Sequence, residues 1–105
     1  MTAQQISFVK NSLQAAVSAG ASFNMNPTVI LAQAAFESGW GMSKLATGSN
    51  NYFGLTAYGC SNQYWHGGKT TVNTGSYSLD FRRYDTRENS FLDFARLIRN
   101  NYRTA

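Results

Sequence analysis

The chain is poor in the residues that usually organise small folds and metal sites: 105 residues contain one cysteine, one proline and one histidine, and five acids against nine Lys and Arg. A lone thiol, Cys60, cannot close an internal disulfide, and without a nearby Cys or a second His it does not make a metal-ligand set. No metal or cofactor is therefore expected. A Cys60 nucleophile paired with His66 is the one thiol chemistry left open, since both lie in one loop region, but such a pair normally needs a third orienting group and no family signature surrounds this cysteine. No apolar run approaches membrane-span length, so no transmembrane helix is expected. The start, Met1-Thr2-Ala3-Gln4-Gln5, lacks the basic and apolar regions of a secretory leader, which leaves any export route open. Without a Pro/Gly/Ser-rich linker, an internal repeat or a low-complexity segment, residues 1–105 read as one globular domain, 43% hydrophobic and only 13% charged.

What is present sorts into helices at both ends and an extended region between. Thr2 and Gln5 form a capping box, and Ile6, Val9, Leu13 and Ala16/Val17 repeat at helical spacing, predicting a helix from Ala3 to Ala19 with that stripe in the core and Gly20 as its stop. Asn26-Pro27 is an N-cap and N1 pair that starts a second helix, running to Glu37 or Ser38. A short turn of helix near Ser43 to Ala46 follows. From Tyr52 to Tyr84 the composition shifts to Tyr, Thr, Val, Gly and Ser, predicting strands at Phe53 to Ala57, Lys69 to Asn73 and Tyr77 to Arg82. Thr86 caps a last helix, with Phe91, Phe94, Ala95 and Ile98 on one face and Arg87, Glu88, Arg96 and Arg99 as its wet side.

The chemically informative stretch is Ala32-Gln33-Ala34-Ala35-Phe36-Glu37-Ser38-Gly39-Trp40-Gly41. It carries one of the chain's two glutamates to the end of an apolar helix, where a glycine, a tryptophan and another glycine open space beside the acid. Apolar surroundings disfavour ionisation and would hold a proton ready for transfer, so Glu37 is the expected general acid. A solvated helix-end carboxylate is the plainer alternative.

That stretch, with Ser43-Lys44-Leu45-Ala46, then Asn50-Asn51-Tyr52-Phe53-Gly54-Leu55 and Phe81-Arg82-Arg83-Tyr84-Asp85, resembles the bacterial and phage β-N-acetylglucosaminidases of glycoside hydrolase family 73. The resemblance runs from about Pro27 to Tyr102. It implies an α+β, lysozyme-like fold in which helices pack around a small antiparallel β lobe, with a substrate cleft between the lobes and Glu37 projecting into it. It also implies a peptidoglycan hydrolase of autolysin or endolysin type, cutting β-1,4 glycosidic bonds at the cell wall. Glycan strands are the expected partner, and the domain is expected to be a monomer.

Glycoside cleavage normally uses two carboxyl groups. The family places its second acid in a β-lobe segment like Thr-Thr-x-Glu-Tyr, where this chain has Thr70-Thr71-Val72-Asn73-Thr74. Asn73 thus stands at that place, and the lobe is shortened. Among the remaining acids, Asp85 and Glu88 suit the start of the last helix and Asp93 its body, which leaves Asp80 as second candidate or as a partner for Lys69 or an arginine. Asn51, Tyr52, Phe53, Tyr58, Trp65 and Asn73 are the expected substrate contacts, since aromatic rings stack on sugar faces; Phe53 is the most structural of them and Trp65 the most ligand-facing. Tyr102 matches a family tyrosine near the catalytic glutamate, or else seals the core. The chain stops at Ala105, earlier than the family usually does, so either a minimal domain or an excerpt of a longer protein is expected.

The net charge of +4 suits an anionic partner, with Arg82, Arg83, Arg87, Arg96, Arg99 and Arg103 forming the denser basic group. No nucleic-acid fold signature accompanies it, so the anionic cell wall is the better match and nucleic acid is not expected. Three activities fit: N-acetylglucosaminidase, lytic transglycosylase, which needs a single acid, and a non-catalytic peptidoglycan-binding module. Where no second enzyme carboxylate reaches the cleft, the substrate's N-acetyl group can serve as nucleophile.

Overall fold

A computed structural model describes residues 1–101. Tyr102, proposed from the sequence as a site residue, lies outside them. The order is α1 (Ala3–Phe23), α2 (Pro27–Ser38), α3 (Lys44–Ser49), β1 (Lys69–Asn73), β2 (Ser78–Arg82) and α4 (Arg87–Asn101). This is the α+β layout expected.

Local chemistry sets most helix ends. Both arms of the capping box form, with Gln5 N–H donating to Thr2 Oγ1 (3.1 Å) and Thr2 N–H to Gln5 Oε1 (3.0 Å). Asn26 Oδ1 accepts from Thr28 N–H (2.8 Å) ahead of Pro27, and Thr86 Oγ1 accepts from Asn89 N–H (3.1 Å) at α4. The expected stop at Gly20 is not used. The helix continues to Phe23 and closes on Asn24, whose φ is 54°. Gly20 has a different reason to be glycine: a Cβ there would sit 2.6 Å from the Met25 carbonyl oxygen and 3.3 Å from Pro27 Cδ, where the chain folds back into α2.

The expected stripe of α1 is met in part, with Ala16 buried and Val9 packed against the core. Ile6, Leu13 and Val17 are exposed, while Phe8, Ser12, Ala15, Ala16 and Ala19 are buried. Small side chains let α1 approach α2 and α4 closely, and Ala34, Ala35 and Ala95 answer from the other helices. The large core residues cluster at one end, where Phe91 meets Phe53 edge-on and Phe94 stacks on Phe53 at 4.0 Å.

The β lobe is a single antiparallel hairpin, Lys69 opposite Arg82 and Asn73 opposite Ser78. The strand expected at Phe53 to Ala57 is reduced to a bridge between Thr56 and Phe81. Asn51 explains why. Buried, it accepts from Leu55 N–H and donates to the carbonyls of Leu55 (3.0 Å) and Arg82 (2.9 Å), so its side chain replaces strand pairing and locks a loop.

One buried acid ties the hairpin to the helices. Asp93 on α4 is fully buried. It accepts from Arg82 Nη1 at 2.6 Å, from the Tyr84 hydroxyl, from Asn62 Nδ2 at 3.1 Å and from Arg96 Nε at 3.2 Å. Arg82 continues outward, donating to the carbonyls of Thr56 (3.2 Å) and Tyr58 (2.5 Å) while its guanidinium lies 4.2 Å over the Trp65 ring. Burial, and then the contact with Asp93, push the Tyr84 hydroxyl's pKa far above the ordinary tyrosine value of 10.0.

Two outcomes follow. Asp93→Asn leaves Arg82 buried against a neutral partner and should cost about 3–5 kcal/mol, read as a lower urea midpoint. As pH rises past 10.0, unfolded Tyr84 ionises while the folded hydroxyl keeps its proton. The native state then binds more protons, so stability present below that pH is lost above it, by up to about 1.4 kcal/mol per pH unit. Urea midpoints from pH 8 to 11 should fall less steeply in Tyr84→Phe than in wild type.

Candidate active site

Glu37 lies in the last turn of α2, about two turns beyond Ile30 and at the margin of the face that buries Ile30, Ala34, Ala35 and Ser38. It is nonetheless exposed, and its one hydrogen-bond partner among the described residues is Gln33, whose Nε2 donates to Oε1 at 3.2 Å. The apolar housing expected from the sequence is absent. Its carboxylate meets solvent at the end of the helix.

The turn after it is tightly held. Gly39, Trp40 and Gly41 all have positive φ, at 57°, 58° and 80°, a left-handed run that reverses the chain within three residues. Ser38 pins it: its hydroxyl donates to the Ala34 carbonyl (2.6 Å) and accepts from Gly41 N–H (2.8 Å), while its own carbonyl accepts from Met42 and Ser43 N–H. Trp40 sits edge-on to Phe8, with ring centroids 6.0 Å apart. At Gly41 a Cβ would lie 2.8 Å from Phe8 Cδ1. The Glu-Ser-Gly-Trp-Gly sequence thus fixes the acid's backbone from its C-terminal side.

The chain then leads straight to the hairpin. Register puts Lys69, Thr71, Asn73, Ser78, Asp80 and Arg82 on one face and Thr70, Val72, Leu79 and Phe81 on the other. A cavity of about 480 Å³ lies between Ser43, Lys44 and Leu45 at the start of α3 and Thr70, Thr71, Val72 and Phe81 of the hairpin. Ser43 N–H bonds the carbonyl of Ser38, the residue after Glu37 (3.0 Å), so this cavity adjoins the acid's turn. A smaller one, about 280 Å³, is bordered by Thr56, Ala57, Tyr58, Ser78, Leu79 and Asp80.

The expected site residues divide accordingly. Tyr58 and Asp80 are exposed and meet at the smaller cavity. Asp80 bonds neither Lys69 nor an arginine; its Oδ1 accepts from Thr71 Oγ1 at 2.7 Å. Asn73 is exposed at the hairpin end, accepting from Ser78 Oγ at 2.6 Å. Asn51, Tyr52, Phe53 and Trp65 are buried, so the sugar-facing wall expected of them is not offered to solvent. Trp65 donates its indole N–H to the Gly68 carbonyl (2.8 Å) and supports Arg82. Tyr52 packs among Phe8, Phe91 and the Arg87 guanidinium, and burial raises its pKa despite that cation.

The thiol alternative finds no dyad: His66 Nδ1 lies 2.7 Å from Asp85 Oδ2 and Nε2 lies 3.2 Å from the Gln63 carbonyl, with Cys60 bonded to neither nitrogen. Among the described residues no three His, Cys, Asp or Glu side chains gather as metal ligands would. Among the described residues the arginines of the basic group are engaged by other parts of the fold, Arg103 lying outside those residues. Arg83 donates to the Lys69 carbonyl, Arg87 to Ser12 Oγ, and Arg99 to the Phe23 and Asn24 carbonyls at the end of α1. The expected wet side of α4 is therefore largely a set of staples.

With this geometry in view, the comparisons are decisive for family. The family model of glucosaminidases, described as mannosyl-glycoprotein endo-beta-N-acetylglucosaminidase, matches residues 13–105. The chain belongs to the glucosaminidase family. It is 32% identical over 112 residues to the peptidoglycan hydrolase FlgJ of Vibrio parahaemolyticus, covering 94% of this chain and 35% of that protein. A putative endo-beta-N-acetylglucosaminidase of Streptococcus pneumoniae is 32% identical over 80 residues, covering 76% of this chain and 10% of that protein. This glucosaminidase domain therefore spans about a third or less of these relatives.

Among solved structures, the glycoside hydrolase domain of Salmonella typhimurium FlgJ superposes with a TM-score of 0.79 at 29% identity, over 94% of this chain and 63% of that one. A peptidoglycan hydrolase from Sphingomonas sp. A1 gives 0.72 at 31%, over 93% and 62%. Sequence reasoning had missed the Asp93 cluster and the cavity beside Lys44. The available signal was Arg82 and Tyr84 two apart at a strand end, where they share one side.

Gly41→Ala should destabilise this glucosaminidase domain by about 1–3 kcal/mol through the clash with Phe8. Gly48→Ala is the control, since nothing lies within 4 Å of its Cβ and it sits inside α3. It should be neutral or gain up to about 1 kcal/mol. Urea midpoints of the two variants provide the check.

Proposed function

We propose that this domain cleaves the β-1,4 glycan of peptidoglycan on the reducing side of N-acetylglucosamine, with Glu37 as the general acid. The observation that carries the reading is the exposed Glu37 carboxylate at the end of α2, one residue before Ser38, whose carbonyl accepts from Ser43 N–H at the edge of the cavity formed with the β hairpin. Peptidoglycan is favoured over mannosyl-glycoprotein because the FlgJ relatives and the Sphingomonas hydrolase are named for it. The site of action is then the cell wall. Among the described residues no helix is long and apolar enough to cross a membrane.

In this reading the glycan itself covers Glu37. A sugar ring seated in the cleft excludes the water that now surrounds the carboxyl group. Glu37 donates its proton to the glycosidic oxygen, and the leaving sugar departs as an alcohol. Asp80 is a poor second group, because it shares a hairpin face with Thr71 while the larger cavity is walled mainly by the opposite face. Asn73, at the family's second-acid place, cannot act as a base. The substrate's N-acetyl oxygen then attacks C1, and water opens the resulting ring to a reducing sugar. A lytic transglycosylase would instead let the sugar's own 6-hydroxyl attack, leaving an anhydro end.

Digestion of purified sacculi, with borohydride reduction and mass spectrometry, tests the assignment. Reducible N-acetylglucosamine ends are expected; anhydro-muramic ends would replace it with the transglycosylase, and no soluble product would leave a binding module. Glu37→Gln should lower the rate at least ~10²-fold with the fold intact. Near wild-type lysis by that variant would remove the role given to Glu37. Asp80→Asn should change the rate little if the nucleophile belongs to the substrate.

A further inference from the structure

The cavity beside Lys44 has a composition that suits one kind of substrate group. Leu45, Val72 and Phe81 give it apolar walls. Its hydroxyls already have partners: Ser43 Oγ accepts from Ala46 N–H (3.1 Å), Thr70 Oγ1 pairs with Ser49 Oγ (2.6 Å), and Thr71 Oγ1 donates to Asp80 (2.7 Å). The remaining lining residue is Lys44, which is exposed. Among the described residues no carboxylate lies within salt-bridge reach of it, whereas Arg82, Arg83, Arg87, Arg96 and Arg99 each donate to a group inside the fold.

A cavity with apolar walls and one cation among its lining residues matches a short branched arm that bears one methyl group and a single carboxylate. A muramyl residue carries such an arm, the 3-O-lactyl group, and its acid is free once the stem peptide has been removed. With the peptide attached, the lactyl group is an amide and a row of further amides follows. Those amides would lose water without finding partners in this cavity, which is costly.

We propose that this cavity is the subsite for the lactyl carboxylate of peptide-free glycan, with Lys44 as the counter-charge. The proposal rests on the glycan-cleaving reading and adds a preference for denuded strands. Lys44 is exposed, so a variant there leaves the core untouched.

The test is calorimetric or NMR titration at low salt, where screening is weak. Three probes are used: the N-acetylglucosaminyl-N-acetylmuramic acid disaccharide with a free lactyl carboxylate, its lactyl methyl ester, and chitobiose. Wild type should bind the free acid about tenfold or more tightly than the other two, as a charge-assisted contact gives. Lys44→Ala should abolish that difference while leaving ester and chitobiose affinities unchanged, and Lys44→Arg should restore most of it. Equal affinity for acid and ester in wild type, loss of all three together in Lys44→Ala, or no measurable binding of any probe overturns the subsite. Binding is read apart from turnover: a Lys44-dependent preference with no cleavage of sacculi overturns the glycosidase reading alone, and cleavage with no such preference overturns the subsite alone.

Discussion

The carboxylate of Asp93 is the constraint on which the arrangement of this domain depends. A buried charge is tolerated only when its lone pairs are filled, and here four donors do so from four parts of the chain: Arg82 at the end of β2, Tyr84 just after it, Asn62 in the long loop and Arg96 on α4 itself. The hairpin has little apolar burial of its own, with only Arg82 of its ten strand residues buried. Its position over α3 therefore follows from this polar anchor and from Asn51 more than from hydrophobic contact. Because the hairpin forms one wall of the cavity at the start of α3, the geometry of that cavity is inherited from an interaction elsewhere in the hairpin.

The same comparison shows what a sequence reveals of such a fold. Capping chemistry is local, and Thr2, Asn26 and Thr86 begin their helices as their residue types predict. Non-local packing was not legible. Of the α1 stripe, Val9 and Ala16 meet the core while Ile6, Leu13 and Val17 are exposed, because close contact with α2 and α4 selects small residues. Gly20 read as a stop is a contact glycine. The third strand failed for a related reason: Asn51 supplies from its side chain the hydrogen bonds that strand pairing would have given, and nothing local to residues 53–57 announces this.

At the site, the order of residues around Glu37 was informative and the aromatic wall was not. Tyr52, Phe53 and Trp65 have the composition of sugar platforms, yet each fills a place in the interior, and ring chemistry alone does not separate the two uses. Charge told a similar story. A net +4 suggests a field directed at an anionic partner, but the described arginines point inward to carbonyls, a hydroxyl and Asp93. Planar guanidinium groups with several donors suit that stapling role, whereas an ammonium on a flexible stem is the better free cation.

Trp40 connects fold and chemistry most directly. A bulky residue at φ 58° is costly, on the order of 1–3 kcal/mol, and such conformations persist only where neighbours over-determine them. Here they do: Phe8 meets the indole, Ser38 clamps both sides of the turn, and Gly41 leaves room for the Phe8 ring. An ordinary loop between α2 and α3 would avoid that strain with a few more residues. The shorter path ends α2 abruptly, so that Glu37 stands exposed in its last turn, and it brings Ser43 back within one hydrogen bond of Ser38, the acid's neighbour. The strain thus sits between the acid and Ser43 at the edge of the hairpin cavity, an arrangement that core packing alone would not require.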